Sequence, residues 1–298
     1  MMKGSKSDVL CASLNPDEGL LGAVTEGGER LKLWDTAKGE LARVVPSVRY
    51  FRFHPDGKTL ACYGNRAYEF MDISTGKKPE NIRNVQRLVS PEMVFYPAKE
   101  RMVISSYRNS NEILLSNMDT EEVLSYIKTD PLRVLSLALS ADGSLIAAGG
   151  HLENVANLYD AKSGKLVKAI TASTAGLKRR EDFKGHIGSV WSVAISPDKS
   201  ILATGSDDKN VKIWNARTGQ LLHTLKGHSK TVWFLLFSPD GKYLASAGDD
   251  VDILLWDART GRPAGSLKGH THSVKSIFFT KNGKYLVSGS GDSSMKIW

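Results

Sequence analysis

Short apolar runs separated by tight-turn residues make up most of the chain. Ser196-Pro197-Asp198 and Ser238-Pro239-Asp240-Gly241 each lie between two such runs, where Pro, Asp and Gly favour a tight turn. The chain has seven such segments, and the other five are Asn15-Pro16-Asp17, His54-Pro55-Asp56-Gly57, Tyr96-Pro97, Ser140-Ala141-Asp142-Gly143 and Thr280-Lys281-Asn282-Gly283. Short β-rich runs with a turn every 8–12 residues or so predict an all-β protein.

The apolar run after each turn ends near an aromatic residue or a substitute for one. These seven positions are Trp34, Phe70, Ser116, Tyr159, Trp214, Trp256 and Trp298. A second turn usually follows, as at Thr218-Gly219 and Thr260-Gly261. Each unit is therefore predicted to contain several strands joined by hairpins.

The last three units repeat with a period of 42 residues. Four markers keep this spacing: the Gly-His pairs at Gly185, Gly227 and Gly269, a Ser/Thr (Thr204, Ser246, Ser288), an Asp (Asp208, Asp250, Asp292) and a Trp (Trp214, Trp256, Trp298). A chain of 298 residues holds about seven such units. A four-stranded unit of about 40–45 residues repeated radially is a propeller blade. The sequence predicts one all-β domain, a seven-bladed β-propeller of four-stranded antiparallel blades.

The pattern resembles the WD-repeat family (the WD-40 or G-protein beta-subunit-like propellers). The resemblance is strong over 184–298 and weaker around Leu33-Trp34-Asp35 in the first repeat. Repeats two to four lack the Gly-His pair and mostly lack the aspartate, so their hydrogen bonding is expected to differ from that of the family. The expected blades within a single domain, 1–298, are approximately 8–46, 47–86, 87–129, 130–171, 184–226, 227–268 and 269–298, with an insertion loop at 171–184.

The recurring His, Ser/Thr, Asp and Trp can be interpreted in two ways. A Ser-His-Asp hydrolase needs one such set in a cleft with an oxyanion hole. Here the set recurs three times with an indole, which is only a donor, and no Gly-x-Ser-x-Gly elbow occurs. The resemblance instead implies a buried hydrogen-bond chain needed for folding. The three sets, called the tetrads below, are His186, Thr204, Asp208 and Trp214; His228, Ser246, Asp250 and Trp256; and His270, Ser288, Asp292 and Trp298.

The resemblance also implies where a partner binds. The commonest contact face of the family carries the loops entering each inner strand and the turn with the aspartate. Carried over, that face holds Ser189, Trp191 and Asp207 in blade five, Thr231, Trp233 and Asp249 in blade six, and Ser273, Lys275 and Gly291 in blade seven. Trp is enriched among interface hot spots, so the two indoles are candidate contacts. The alternative that both indoles pack between blades stays open.

The net positive charge of the chain lies mostly in its C-terminal part. Residues 1–175 carry 22 Lys/Arg against 21 Asp/Glu, whereas residues 176–298 carry 18 against 11. The insertion loop contains Arg179 and Arg180, which could recognise carboxylate or phosphate, or follow nucleic acid beside exposed aromatics. A solvated insertion and an ordinary Lys-rich surface are the alternatives.

The last unit ends within its third predicted strand. We therefore expect 27 strands, with the outer strand of blade seven missing and an unpaired edge at Trp298. A chain that is a fragment of a longer protein is the favoured explanation.

Other features of the sequence limit the classes of function that we expect. No apolar run approaches the ~20 residues of a membrane helix. Cys11 and Cys62 are too few for a disulfide framework, and no zinc or phosphate-loop motif occurs, so an intracellular protein without a cofactor or metal is expected. The leading hypothesis is a non-enzymatic cytoplasmic scaffold that binds protein or peptide partners. The alternative is an RNA- or ribonucleoprotein-associated propeller that uses the basic C-terminal half.

Overall fold

The computed structural model describes residues 8–25, 30–64, 67–77, 93–95, 102–106, 111–117, 123–129, 132–151, 156–170 and 185–298. These residues form 26 β-strands and no helix. The strands pair antiparallel in seven sheets, five with four strands and two with three. An all-β chain built from antiparallel sheets is what the turn spacing predicts.

The seven sheets follow one another along the chain, and each is a meander in chain order. Sheet 1 contains β1 (Val9–Leu14), β2 (Leu20–Thr25), β3 (Arg30–Asp35) and β4 (Leu41–Pro46), and sheet 2 contains β5 (Tyr50–Phe53), β6 (Thr59–Gly64) and β7 (Ala67–Asp72). Sheet 3 contains β8 (Met93–Phe95), β9 (Met102–Ser106), β10 (Glu112–Asn117) and β11 (Val123–Lys128), and sheet 4 contains β12 (Arg133–Leu139), β13 (Leu145–His151), β14 (Ala156–Asp160) and β15 (Leu166–Ile170).

The C-terminal sheets are described without interruption. Sheet 5 contains β16 (Val190–Ile195), β17 (Ile201–Ser206), β18 (Asn210–Asn215) and β19 (Leu221–Lys226). Sheet 6 contains β20 (Val232–Phe237), β21 (Tyr243–Gly248), β22 (Ile253–Asp257) and β23 (Pro263–Leu267). Sheet 7 contains β24 (Val274–Phe279), β25 (Leu286–Ser290) and β26 (Met295–Ile297).

The meander gives sheets 5–7 two different ends. The first and third hairpins of each sheet lie at one end, here called the turn face, which carries 196–200, 215–220, 238–242, 257–262 and 280–284. The second hairpins and the connections into each sheet lie at the opposite end, here called the loop face, which carries 185–189, 206–210, 227–231, 248–252, 269–273 and 290–294. Antiparallel strand order dictates this division.

The first hairpins owe their shape to the Ser-Pro-Asp-Gly pattern. In sheet 6 the Ser238 hydroxyl donates to Asp240 Oδ1 at 2.5 Å and accepts from the Tyr243 N–H at 2.9 Å. Gly241 has a φ of +72°, in the left-handed region that glycine adopts without steric cost. Lys199 occupies the same place in sheet 5 with a φ of +61°, and its ammonium contacts Asp142 of sheet 4 at 2.5 Å. The predicted turns are therefore present where the chain is described, and Tyr96-Pro97 lies outside the described residues.

The hydrophobic core lies between the faces of neighbouring sheets. One cluster joins Val211 and Ile213 of sheet 5 to Val232 and Trp256 of sheet 6, and equivalent clusters join sheets 1 and 2, 3 and 4, 4 and 5, and 6 and 7. A further cluster contains Val9 and Ala12 of sheet 1 with Phe278 and Met295 of sheet 7. The first sheet therefore packs on the last as well as on its successor in the chain.

Strand register corrects one sequence assignment. Trp214 pairs with Leu202, and the equivalent pair in sheet 2 is Met71 with Leu60. Met71, not Phe70, therefore occupies the tryptophan position of the second unit, because Phe70 pairs one residue further along, with Ala61. A pattern of apolar residues does not fix this register, because Phe70 and Met71 are neighbours and both are apolar.

The strand count remains a prediction. Sheet 7 has the three strands that were expected. Sheet 2 also has three described strands, and the segment 78–92, where its fourth strand was expected, lies outside the described residues.

Candidate functional site

A bulge in the inner strand of each of sheets 5–7 positions three of the candidate partner-binding side chains. The register between β16 and β17 shifts between Val190 and Ser192, so Trp191 has no paired residue opposite it. The same shift leaves out Trp233 in β20 and Lys275 in β24. A bulge bends its strand and re-aims the extra side chain. The three residues thus sit in equivalent positions beside the loop face.

Contacts across neighbouring sheets join these side chains. The rings of Trp191 and Trp233 lie with centroids 4.7 Å apart and planes at 53°. Lys275 Nζ lies 3.9 Å from Asp249 Oδ1, and both side chains are about one-third exposed. Trp191 and Trp233 each keep part of their surface in solvent. The two indoles therefore pack against each other across the boundary between sheets without being fully buried.

The remaining candidate positions meet through the main chain. The carbonyls of Ser189, Thr231 and Ser273 accept the N–H groups of Asp207, Asp249 and Gly291 at 3.3, 3.1 and 2.9 Å, respectively. Ser189 and Gly291 are buried, whereas the other four are at least partly exposed. A partner could touch the side chains of Thr231, Ser273, Asp207 and Asp249, but Ser189 contributes to the backbone of the loop. Arg179 and Arg180 lie outside the described residues.

Two exposed apolar side chains on the loop face were not predicted from the sequence. Ile187 is 60% exposed and Val251 41% exposed. Ile187 follows the tetrad histidine, where the next two repeats have Ser229 and Thr271. An apolar residue where the other repeats have a polar one is a sequence signal that points to Ile187. Both side chains add apolar area to the face that carries the indoles.

The three tetrads form the same hydrogen-bond chain. The histidine Nδ1 lies 2.9, 2.6 and 2.7 Å from the Oδ2 atoms of Asp208, Asp250 and Asp292. The histidine Nε2 lies 2.7 Å from the hydroxyl oxygen of Thr204, Ser246 and Ser288. The indole N–H of Trp214, Trp256 and Trp298 donates to that hydroxyl at 2.8, 2.8 and 2.9 Å.

Donor and acceptor chemistry fixes the direction of each chain. The indole can only donate, so the hydroxyl oxygen accepts from it and gives its own proton to the histidine Nε2. The histidine Nδ1–H then donates to the aspartate, which also accepts the N–H of Ile187, Ser229 or Thr271. The hydroxyls of Thr204, Ser246 and Ser288 are buried within the sheets. A Ser-His-Asp arrangement with its hydroxyl enclosed this way offers no nucleophile to a substrate.

Burial and hydrogen bonding set the charges of the tetrads. Burial lowers the pKa of His228, although the Asp250 carboxylate opposes the shift, so the imidazole is neutral at pH 7. Burial raises the pKa of Asp292, but hydrogen bonds from Ser294 and His270 outweigh it and hold the pKa at about 2. Hydrogen bonds from histidine and the backbone lower the pKa of Asp208 against the same burial.

Sheet 4 replaces the tetrad with a shorter contact. Tyr159 pairs with Ile146, as Trp214 pairs with Leu202, and Ala148 stands where Thr204 stands in sheet 5. The Asn157 amide donates to the Tyr159 hydroxyl at 3.1 Å. The hydrogen bonding of this sheet therefore differs from that of sheets 5–7.

Comparison with known proteins identifies the repeats. The family model described as "WD domain, G-beta repeat" matches residues 177–215, 219–257 and 261–298. The chain contains WD repeats. These three matched WD repeats include all three tetrads and the residues of the loop face in sheets 5–7.

Curated relatives match short stretches of the chain. Eukaryotic translation initiation factor 3 subunit I of Aspergillus terreus is 33% identical over 82 residues, 25% of this chain and 24% of that protein. The protein of the same name from Phaeosphaeria nodorum is 38% identical over 55 residues, 18% of this chain and 17% of the relative. The chain thus matches about a quarter or less of the length of these relatives.

Two further features of the described residues bear on the site. No cluster of three or more His, Cys, Asp or Glu among them is arranged to hold a metal ion. No helix long and apolar enough to cross a membrane occurs in the part of the chain that the structure describes.

The depressed pKa of Asp292 predicts how stability depends on pH. Its folded-state pKa of about 2 lies below the ordinary 3.8, so the contribution of this carboxylate is complete above about pH 4 and is lost as pH falls towards about 2. Urea unfolding of wild type and Asp292→Asn across this range should give a stability difference that grows with pH and then levels off. A difference independent of pH would contradict the assignment.

Proposed function

We propose that the chain is a non-enzymatic scaffold that binds protein or peptide partners on the loop face of a WD-repeat propeller. The observation that carries this proposal is the partly exposed Trp191–Trp233 pair, which two neighbouring WD repeats present at equivalent bulges. Large apolar area combined with an indole N–H is typical of interface hot spots. Lys275, Asp249, Thr231 and Asp207 supply charged and polar groups around it.

We further propose that the seven sheets close into one seven-bladed propeller domain. The Ala12 N–H donates to Ser276 Oγ at 3.1 Å, which joins sheet 1 to sheet 7. The Lys281 N–H donates to the Glu18 carboxylate on the turn side of the same boundary. Packing also joins sheet 3 to sheet 4 and each later sheet to the next, and sheet 1 to sheet 2. Closure of a ring removes sheet edges and makes a rigid platform for loops.

The relatives support a role in a protein assembly. Both are named as a subunit of eukaryotic translation initiation factor 3. By extension, this chain assembles with protein partners inside the cell, in the cytoplasm, and its WD repeats serve as the structural part of that assembly. The buried tetrad hydroxyls support a role without catalysis.

Single substitutions of Trp191 and Trp233 test the partner-binding face. Partners would be captured from source lysate with and without nuclease, identified by mass spectrometry, purified and titrated against each variant. We expect Trp191→Ala and Trp233→Ala each to weaken binding by about 2 kcal/mol, roughly 30-fold, because each removes a large contact at the centre of the face. Leu222→Ala, on the exposed side of β19, is the matched control and should leave affinity unchanged.

Two outcomes would contradict the proposal. Partners that bind both tryptophan variants as tightly as wild type would exclude the indole pair as the contact. Partners lost only after nuclease treatment would indicate binding through nucleic acid, and would direct attention to Arg179 and Arg180 of the insertion loop.

A further inference from the structure

The positive charge of the C-terminal sheets is concentrated at the end opposite the proposed partner face. Six basic residues of sheets 5–7 are exposed on the turn face: Arg217, Lys242, Arg259, Arg262, Lys281 and Lys284. Three aspartates, Asp198, Asp240 and Asp257, share this end with them. The loop-face segments of the same sheets hold six aspartates and two lysines, Lys209 and Lys230, so this end is acidic.

The three aspartates of the turn face are engaged in their own turns. Asp240 accepts the Ser238 hydroxyl at 2.5 Å and the Lys242 N–H at 3.0 Å. Asp257 accepts the Thr260 N–H and hydroxyl, both at 2.7 Å. Their carboxylates point into the hairpins and hold the loops in shape, while the longer basic side chains extend into solvent. The turn face is therefore a cationic surface.

Two exposed tyrosines are interleaved with these cations. Tyr243 and Tyr285 are each 43% exposed and follow Lys242 and Lys284 directly. The Tyr243 N–H donates to Ser238 Oγ at 2.9 Å and the Tyr285 N–H to Thr280 Oγ1 at 3.0 Å, so the two rings start from equivalent backbone positions. Lys284 Nζ lies 5.2 Å from the centroid of the Tyr285 ring. Tyr285 thus has a cation beside its ring, and Tyr243 follows Lys242 in the equivalent place of the preceding repeat.

Neighbouring hairpins of this face are in contact. A Cβ on Gly241 would lie 3.4 Å from Pro197 of the preceding sheet, and one on Gly283 would lie 3.3 Å from Pro239. The first hairpins of sheets 5, 6 and 7 therefore form one continuous surface. A row of cations with interleaved aromatic rings matches a ligand that has a repeating phosphate charge and flat bases.

We infer that the turn face of sheets 5–7 binds single-stranded nucleic acid, with the basic side chains on phosphates and Tyr243 and Tyr285 stacking on bases. This surface is separate from the loop face, so one chain could hold a protein partner and a nucleic acid together. The inference does not depend on the proposed protein-binding function, because none of its residues lies on the loop face.

Four purified variants and fluorescence anisotropy test the inference. The probes are labelled oligo(U) and oligo(dT) of about 20 nucleotides, measured from about 50 mM salt upwards. Arg259→Ala/Lys242→Ala/Lys284→Ala should reduce the slope of log affinity against log salt by about 2, because each phosphate contact on a single strand contributes about 0.7. Lys209→Ala/Lys230→Ala/Lys268→Ala removes the same charge from the loop face and the residue directly beside it, and should leave the slope unchanged.

The tyrosines separate base stacking from simple attraction of a polyanion. Tyr243→Ala/Tyr285→Ala should weaken oligonucleotide binding by about tenfold per ring at fixed salt without changing the slope, and Tyr→Phe at both sites should restore affinity. A heparin oligosaccharide, which has charge but no bases, should respond to the basic variant and not to the tyrosine variant. Equal affinity for oligo(U) and oligo(dT) would assign the site to either nucleic acid, and a preference would assign it to one.

Three results would overturn the inference. These are the absence of binding at low salt, an equal loss in the loop-face control, and a tyrosine variant that binds like wild type. The last two would assign any binding to diffuse charge alone.

Discussion

Asp250→Ala is expected to lower the melting temperature by roughly 10 °C, because it disconnects a buried hydrogen-bond chain. The Asp250 carboxylate accepts from His228 Nδ1 at 2.6 Å, from the Ser229 N–H at 2.9 Å and from the Ser229 hydroxyl at 2.6 Å. Its removal leaves the buried imidazole N–H without its acceptor. The loss should be about 3 kcal/mol, and each kcal/mol corresponds to about 2–4 °C in a chain of this size.

A neighbouring aspartate provides the control for this substitution. Asp252 lies on the same hairpin, and its carboxylate lies 3.9 Å from the ammonium of the largely exposed Lys268. Asp252→Ala removes the same charge and should change the melting temperature by no more than about 2 °C, as expected for a surface ion pair. Equal melting temperatures for Asp250→Ala and Asp252→Ala would show that the tetrad does not contribute to folding. Calorimetry or thermal circular dichroism would measure both.

The tetrads could be found from the sequence because the repeat supplies its own internal comparison. His186, Thr204, Asp208 and Trp214 each have counterparts 42 and 84 residues later, so their shared role did not depend on one spacing. Strand register then brings them together, since Thr204 and Trp214 lie on paired strands. Contacts within one sheet can be predicted in this way, because the residues lie on neighbouring strands of the same repeat.

The sequence left open whether the indoles pack between blades, and it did not predict which side chains meet across a sheet boundary. The packing of Trp191 on Trp233 depends on how two bulged strands approach each other, and 42 residues separate the two rings in the chain. The pairing of Lys275 with Asp249 has the same origin. The sequence shows that the C-terminal half has an excess of positive charge. Only the alternation of hairpins between the two faces shows that much of this charge lies on the side opposite the indoles.

The two proposed surfaces lie at opposite ends of sheets 5–7, so one can be occupied without blocking the other. The loop-face segments of sheets 5–7 carry six aspartates and only two lysines, whereas the turn face carries three aspartates, which cap its hairpins. An apolar protein contact and a salt-sensitive nucleic-acid contact can therefore be assayed separately by changing salt.

The second large effect is expected at the boundary between the last sheet and the first. A Cβ on Gly289 would lie 2.7 Å from Val9 Cγ1 and 2.8 Å from Ser276 Oγ. Ala247, the equivalent residue of sheet 6, is fully buried, so this position accepts at most a methyl group. Gly289→Val should therefore force the two sheets apart and reduce the free energy of unfolding by about 3 kcal/mol.

Gly205→Val makes this substitution a test of ring closure. Gly205 approaches Val232 in the same way at the boundary between sheets 5 and 6, with a Cβ distance of 2.8 Å to Val232 Cγ1. In a closed propeller the two substitutions disrupt equivalent boundaries and should cost about the same in urea unfolding, whereas Ala264→Val, on the exposed strand β23, should cost little. A large loss for Gly205→Val with none for Gly289→Val would mean that sheets 7 and 1 do not pack in solution and that the ring is open there. Equal losses would show that the boundary between the first and last sheets belongs to the cooperative core, like any boundary between consecutive sheets. The loop-face indoles would then lie on a rigid closed platform.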